Sequence, residues 1–405
     1  MKLALMLVAL MLTACGAGAP SAPTPQQREL RSLVQRLAEI HPNLFHATPR
    51  ARFRAAAERL AERAPGLSRA ELVVGLMRIA TLPGDRDGHT GLFALDQAHA
   101  RGLHAYSFLL YAFADGFYVI RAPSNPELVG AKLAAVAGTR AAEVVARVAP
   151  LVPRDNNWSR LLRLPAWLVC AEVLEGLGIT RGGPVVFGFE GGRTATLEPV
   201  PAADFVATIG YEHDLSRPNG PQPLWLTNLH ESQYLRTIDQ GRAVYLGYHH
   251  TTEATDELAE RILRLARKPG VRRVIVDVRL NGGGDNSTYR PLLRVLARPE
   301  IARKTFVLMG RKTFSAAGNF VAEVDLQTSA KLVGEPSGGA PNQWGDSALV
   351  ELPRAGLTIR VASSYWVFGR GAKDPRVAVQ PDLPVELSAA DFFAGRDPVL
   401  TRALR

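Results

Sequence analysis

Apolar positions near the start of the chain recur at helical spacing. One face of a first helix carries an apolar residue every three or four positions: Leu30, Leu33, Val34, Leu37 and Ile40. The pair His41-Pro42 ends this helix, an arginine-rich helix is expected over 50–64, and Ser68 with Glu71 forms a capping box for a third. The pattern therefore predicts a small helical bundle that ends at Pro83-Gly84.

The pattern changes between residues 103 and 200, where short apolar runs alternate with turn residues. Such runs are typical of β-strands. A helix is expected over 140–149, directly after the run 130–138. Residues 154–177 predict a helical insert, in which Trp158 and Trp167 are expected to lie in a local apolar core.

Strands and helices alternate from residue 242 onwards. Strands are expected at 242–248, 271–278 and 304–309, and helices over 253–267 and 286–298. Alternation of this kind predicts an α/β domain, with helices packed on a sheet. Two late strands, at 347–352 and 356–364, are expected to complete the same domain.

The candidate chemistry begins where the strand 304–309 runs into Gly310. A polar turn follows, and Ser315 then opens a helix with Ala316 and Ala317. The first N–H groups of a helix have no intrahelical partner, so they can stabilise an anion beside the serine hydroxyl. Ser315 is therefore a candidate nucleophile, and the alternative is an ordinary helix N-cap.

Two glycine-rich loops also follow predicted strands. Strand 271–278 leads into Gly282, Gly283 and Gly284, which let the backbone approach a ligand, or alternatively form a tight turn. A phosphate-binding loop is disfavoured because no Gly-Lys-Ser/Thr follows. The second loop lies within 331–346.

Three segments, in this order, resemble the tail-specific (C-terminal processing) serine peptidases. Asp277-Val-Arg279-Leu-Asn281-Gly-Gly-Gly resembles their D-x-R-x-N-x-G-G signature. Thr313-Phe-Ser315-Ala-Ala resembles their nucleophile segment, and Val333-Gly-Glu-Pro-Ser-Gly-Gly is similar to their V-G-E-x-T-G-G loop. The resemblance covers most of residues 26–400, and it implies a serine peptidase that needs no cofactor.

The resemblance also implies a general base. The best-known members pair serine with a lysine in the glycine loop, but this loop reads Ala340-Pro341-Asn342, and Lys331 precedes it on a strand. The tricorn-core branch uses serine, histidine and a carboxylate. Asp87-Gly88-His89-Thr90 resembles the D-G-H-T motif of that branch, so His89 is the implied base. An ordinary imidazole pKa near 6.5 suits this role.

The other site residues are assigned by the same resemblance. Asp374, just before Gln380-Pro381-Asp382, would be the third member of the triad, with Glu335 and Asp346 as alternatives. The oxyanion hole would be formed by N–H groups of Gly283 or Gly284 and of Ala316. Two other histidines, His249 and His250 after the strand at 242–248, are rivals for His89.

The N-terminus reads as an export signal. Lys2 precedes a short apolar run at 3–12, and Leu12-Thr13-Ala14-Cys15 matches the lipobox of bacterial lipoproteins. Residues 1–15 are therefore expected to be a lipoprotein signal peptide, with lipid on Cys15. An ordinary signal peptide, cut near Ala14 or after Ala17 or Ala19, is the alternative. Because Gly16 rather than Asp follows Cys15, an anchor in the outer membrane, on its periplasmic face, is expected.

Charge and cysteine content exclude other classes. The chain has 405 residues and a net charge of +10, but its arginines are spread along the chain, so nucleic-acid binding is not expected. With Cys15 acylated, Cys170 has no disulfide partner and is expected to be a buried thiol. No metal-ligand spacing appears, so no metal is expected.

Together these features predict an α/β fold with several regions. A flexible tether at 16–27 precedes a helical region at 28–95 with the Asp-Gly-His-Thr motif. A PDZ-like domain at 96–202 and a crotonase-like α/β core at 203–405 follow. The implied function is an exported serine endopeptidase that cleaves envelope proteins or peptides through an acyl-enzyme. The alternative is a non-catalytic peptide- or lipid-binding protein on the same scaffold.

Overall fold

The computed structural model describes residues 22–95, 102–209 and 222–405. Its α-helices are α1 (Pro25–Ile40), α2 (Arg50–Arg63), α3 (Arg69–Ala80), α4 (Ala141–Val148), α5 (Asn157–Leu168), α6 (Ala171–Gly176), α7 (Ala202–Ile209), α8 (Asp256–Ala266), α9 (Arg290–Leu296), α10 (Pro299–Ala302), α11 (Ala316–Gln327), α12 (Ala389–Ala394) and α13 (Pro398–Leu404). The predicted signal peptide and Cys15 lie outside the described residues. Within those ranges, none of the helices combines the length and apolar content needed to span a bilayer.

The strands fall into one large sheet and several small ones. They are β1 (His104–Tyr106), β2 (Leu109–Phe113), β3 (Gly116–Arg121), β4 (Leu133–Val136), β5 (Thr139–Arg140), β6 (Val185–Phe189), β7 (Thr194–Leu197), β8 (Pro199–Pro201), β9 (Gln233–Ile238), β10 (Ala243–Tyr248), β11 (Arg273–Asp277), β12 (Thr305–Met309), β13 (Lys331–Gly334), β14 (Asn342–Gly345), β15 (Ala348–Leu352), β16 (Leu357–Val361), β17 (Ser364–Val367) and β18 (Leu383–Pro384).

The three predicted N-terminal helices form, but the first begins at Pro25, so the prediction of a flexible tether at 16–27 was wrong at its end. Helix α3 begins at the capping box of Ser68 and Glu71, in which each side chain bonds the other residue's backbone N–H. Helix α1 has its own capping box, between Thr24 and Gln27, and buries its apolar face. The three helices that the sequence predicts are therefore present, and α2 packs against α1 and α3.

A six-stranded sheet forms the centre of the second half, in the order β18-β13-β12-β11-β10-β9. Its neighbouring strands run parallel, except that β9 is antiparallel to β10. Apolar residues of α8, α9 and α11 cover one face, and residues of α13 cover the other. Parallel sheets require such cover on both faces. The predicted α/β class is confirmed.

The first half contains an antiparallel four-stranded sheet, β5-β4-β6-β7, against which α4 packs. Helices α5 and α6 form the insert that was expected over 154–177, and Trp167 is fully buried. Cys170 is buried, as predicted, and it lies between these two helices.

The two late strands do not extend the central sheet. Strands β15 and β16 form a separate two-stranded sheet, with one bridge from Arg360 to Gly91, and Val350 and Ile359 join the core of the N-terminal helices. Glu29 of α1 accepts hydrogen bonds from the backbone N–H groups of Arg354 and Ala355. The expectation that these strands complete the α/β domain was wrong, because their apolar side chains face α1 instead.

The Asp-x-Arg part of the glycine-loop signature stabilises the fold. Arg279 is almost fully buried and forms ion pairs with Asp277 at 2.6 Å and with Asp397 at 2.8 Å. The Tyr245 hydroxyl donates to Asp277, and Trp225 lies against the guanidinium. This network attaches the start of α13 to the carboxyl end of β11, where the glycine-rich loop begins.

We expect Asp397→Asn to lower the free energy of unfolding by about 2–3 kcal/mol, because one of two partners of a buried guanidinium loses its charge. Urea denaturation measures this. The control is Glu300→Gln, whose ion pair with Arg267 is exposed on both sides, so its loss should change the free energy of unfolding much less. Equal effects of the two substitutions would contradict the stabilising role of the network.

Candidate active site

Ser315 lies at a strained corner between β12 and α11. Its backbone φ is 52° and its ψ is −128°, a conformation that non-glycine residues rarely adopt. Its side chain makes no capping hydrogen bond to the helix. The N-cap alternative is therefore excluded, and the hydroxyl is available for another partner.

That partner is His89. The Nε2 atom of His89 lies 3.2 Å from Oγ of Ser315, although the two residues are 226 positions apart. The imidazole stacks on the ring of Phe314, with 4.7 Å between ring centroids. The structure thus brings together the predicted nucleophile and the predicted base.

Buried charged residues hold the backbone beside His89. The carboxylate of Asp155 accepts a hydrogen bond from the N–H of Gly88 at 2.7 Å. Arg163 donates to the carbonyl of the same glycine at 2.9 Å, and its guanidinium lies over the ring of Phe314. Hydrogen bonds to both the N–H and the carbonyl of Gly88 therefore fix the position of His89.

The environment keeps His89 uncharged. Burial, together with the positive charge of Arg163, lowers its pKa to about 4, although Asp87 and Asp346 act in the opposite direction. An imidazole with this pKa is neutral at pH 7, so Nε2 can accept the proton of Ser315.

Asp155 connects two loops of the site. Its second carboxylate oxygen accepts a hydrogen bond from the N–H of Ala340 at 3.0 Å. One side chain therefore joins the loop that carries His89 to the second glycine-rich loop. Burial raises the pKa of Asp155 to about 7. Sequence reasoning missed both Asp155 and Arg163. The Asn156–Ser159 capping box beside them marks the start of α5 but does not reveal which loops they bind.

The raised pKa of Asp155 predicts a pH dependence of stability. The carboxyl is protonated below about pH 4 in both folded and unfolded chains, since its unfolded pKa is about 3.9. As the pH rises towards 7, the folded state keeps a proton that the unfolded state has lost. The free energy of unfolding should therefore fall between about pH 4 and pH 8, by on the order of a few kcal/mol.

Urea denaturation at pH 5 and pH 8 checks this prediction against two variants. Asp155→Asn, which cannot ionise, should lose much less stability than the wild type over this range. Asp85→Asn removes a carboxylate that is half exposed and pairs with Arg154, and it should follow the wild-type profile. The same pH slope in wild type and Asp155→Asn would refute the assignment.

The predicted acid is not beside the histidine. Asp374 is buried, but its carboxylate binds the side chain of Arg376 at 2.7 Å and the backbone N–H groups of Arg370 and Arg376. These bonds hold the pKa of Asp374 well below its usual range. Asp374 thus stabilises its own loop, and its assignment to the triad is corrected.

The alternative acids do not take its place. Glu335 forms a buried ion pair with Arg311. Asp346 is exposed and acts on His89 only through its charge. In the part of the chain that the structure describes, no side chain hydrogen-bonds to the buried Nδ1 atom of His89, but the backbone of Trp344 lies near it and favours the protonated ring.

One of the predicted oxyanion-hole donors, Gly283, has another partner. The N–H of Gly283 donates to the side chain of Asn281 at 3.0 Å, so it is not available to an oxyanion. This is a local turn in which an asparagine bonds the backbone two residues on. The N–H of Ala316 opens α11 beside the nucleophile and remains the predicted donor, with Gly284 as the second.

None of the other candidate bases makes the described hydrogen bond to Ser315. His249 is buried and contacts the carbonyl of Glu231. Lys331 pairs with Asp382 at the protein surface. His250 lines the same cleft as Ser315, but the serine hydroxyl hydrogen-bonds to His89.

Ser315 and His89 open into a cleft of about 550 Å³. One part of its wall is apolar and includes Phe93, Leu95 and Trp167. The charged residues of its described lining are all cationic: Arg163, Lys312 and Arg360. A cleft of this size accommodates a short peptide segment or a small ligand.

At the level of sequence, the chain matches no protein-family model and no curated relative. Among solved structures it superimposes on mature CPAF with a TM-score of 0.61 and 14% identity, over 91% of this chain and 94% of that chain. The chain has the fold of CPAF. Mature CPAF in complex with lactacystin gives a TM-score of 0.59 and 13% identity, over 91% and 95% of the two chains. The photosystem II D1 C-terminal processing protease gives 0.40 and 13%, over 89% and 93%.

Proposed function

We propose that the protein is a serine peptidase in which Ser315 is the nucleophile and His89 is the general base. The observation that carries the proposal is the 3.2 Å contact between Nε2 of His89 and Oγ of Ser315 in an open cleft. The strained backbone of Ser315 supports it, since strain of this kind concentrates at functional sites.

The geometry supports the usual two-step hydrolysis. Oγ of Ser315 attacks the peptide carbonyl while His89 takes its proton, and the N–H of Ala316 stabilises the oxyanion. The C–N bond then breaks as His89 protonates the leaving amine. Water, deprotonated by His89, attacks the resulting ester and releases the new carboxyl end.

The proposal also includes the location of the protein, its substrates and its domains. The sequence supports export, a lipid anchor on Cys15 in the outer membrane, and envelope proteins or peptides as substrates. The antiparallel sheet with α4 supports a PDZ-like domain, and the six-stranded sheet supports a crotonase-like core. Loss of metabolic lipid labelling in Cys15→Ala, with retention in the wild type, tests the anchor.

One observation favours a second candidate, a non-catalytic binding protein. No carboxylate among the described residues accepts a hydrogen bond from Nδ1 of His89, so the imidazolium that forms during attack would lack the acid that stabilises it in a complete triad. A chain of this kind would hold peptides or lipids in the cleft without cleaving them.

A fluorophosphonate probe distinguishes the two candidates. The wild-type chain should be labelled once, at Ser315, and Ser315→Ala should not be labelled. Lactacystin, a ligand of mature CPAF, serves as a competitor. Peptide-library digestion then tests hydrolysis. An unlabelled wild-type chain that still retains peptides or lipids would refute the peptidase and establish the binding protein.

A further inference from the structure

A second cluster of polar side chains includes a residue of the loop that carries His89. His41 ends α1, His46 lies in the turn that follows, and Asp87 is in the motif that carries His89. Nε2 of His41 lies 3.0 Å from the Asp87 carboxylate, and Nε2 of His46 lies 3.6 Å from it. One ligand atom from each residue falls within 4.8 Å of the others.

The cluster is buried and incompletely satisfied. The side chains of His41 and Asp87 are fully buried, and that of His46 is 15% exposed. Among the described residues, Nε2 of His46 and the second oxygen of Asp87 make no hydrogen bond of normal geometry, although the side chains of His46 and Thr90 lie close to the carboxylate. Buried polar atoms normally find a partner, so these two point to a ligand.

We propose that His41, His46 and Asp87 form a binding site for a divalent transition metal, of which Zn²⁺ fits best. Two imidazole nitrogens and one carboxylate oxygen are ligands that Zn²⁺ accepts, whereas Ca²⁺ and Mg²⁺ prefer sites made of oxygen. The ring of Trp344 packs against both imidazoles, which limits their rotation and orients their nitrogens. The site lies outside the cleft lining around Ser315.

Coordination requires one local change. The N–H of Asn43 now donates to Nδ1 of His41, so the proton of that ring lies on Nε2 and faces Asp87. Binding through Nε2 moves this proton to Nδ1, and the N–H of Asn43 must then turn away. Asn43 is exposed in an irregular turn, so its N–H can bond to water instead.

The consequence is a link between two separate parts of the chain. The metal would join the end of α1 to the loop that presents His89, where a hydrogen bond to His41 now provides the contact. The ligands are 46 positions apart in the sequence, so the site forms only in the folded chain. Metal binding should therefore raise the unfolding temperature.

The test uses the purified full chain after removal of metals by a chelator, titrated with Zn²⁺ against a chromophoric chelator. We expect one equivalent to bind, and we expect His46→Gln, which changes the most exposed ligand, to weaken binding at least tenfold. His104→Gln is the matched control, because His104 pairs with Glu172 away from the cluster and should leave binding unchanged.

Two further measurements separate a metal site from a structural role of these residues. Co²⁺ should give visible d–d bands in the wild type that are absent in His46→Gln. Hydrogen exchange of the Asn43 amide should become faster on Zn²⁺ binding. Wild-type affinity no greater than that of His46→Gln would overturn the proposal, and so would unchanged exchange at Asn43.

Discussion

Replacing His89 by alanine should lower the rate at which a fluorophosphonate labels Ser315 by about 10³-fold or more. Without Nε2 at 3.2 Å, the hydroxyl has no described group that hydrogen-bonds to it and takes its proton. The measurement is the second-order labelling rate constant at pH 7, followed by intact mass, so that incomplete labelling is counted directly.

His250→Ala is the matched control for this substitution. His250 lines the same cleft, but the hydroxyl of Ser315 hydrogen-bonds to His89. We expect its labelling rate to stay within about threefold of the wild type. If His250→Ala lost the rate and His89→Ala kept it, the base would be His250. If both variants kept it, the nucleophile would be activated by another group, such as Lys312, which also lines the cleft.

Replacing Gly283 by alanine should lower labelling and hydrolysis by about 10²-fold or more, because a displacement of the nucleophile near 1 Å has effects of this size. Gly283 has a φ of 113°, which is unfavourable for alanine. An added Cβ would lie 2.6 Å from Cβ of Ser315 and 3.0 Å from the N–H nitrogen of Ala316. Either the serine or the glycine loop must move.

The neighbouring glycine provides the control. A Cβ on Gly282 would meet only the end of the Lys312 side chain, at 3.9 Å, and this residue is exposed. Gly282→Ala should therefore retain labelling within a few-fold. Circular dichroism of both variants checks that they fold. A folded Gly283→Ala variant with wild-type labelling would show that the glycine loop does not constrain the nucleophile.

The sequence alone predicts a site residue correctly when a short segment around that residue identifies it. Ser315 could be recognised from a strand that leads into a helix, and His89 from a four-residue motif, and both are placed together. The α/β class followed from alternation of strands and helices. These features need only residues that are close in the sequence.

Where the prediction failed, a competing partner was present. Asp374 has the right charge, but Arg376, two residues away, already binds it. The N–H of Gly283 was expected to be free, but Asn281 accepts from it. A sequence shows which groups can form such bonds but not which of the possible partners lies in reach.

Long-range contacts account for the remaining omissions. Asp155 acts through Gly88 and Ala340, which lie 67 and 185 positions away. The His41, His46 and Asp87 cluster has no ligand spacing that a motif describes, because one ligand comes from another part of the chain. Only the folded structure brings these residues together.

Hairpin β15–β16 sets the order in which the chain can acquire its structure. The core around α1, α2 and α3 includes Val350 and Ile359, so it stays incomplete until the hairpin has packed onto it. Until then, the apolar faces of these helices are exposed, and such surfaces aggregate or recruit chaperones. A chain that stops before the hairpin should not form a stable N-terminal half, whereas a separately synthesised C-terminal fragment could complete it.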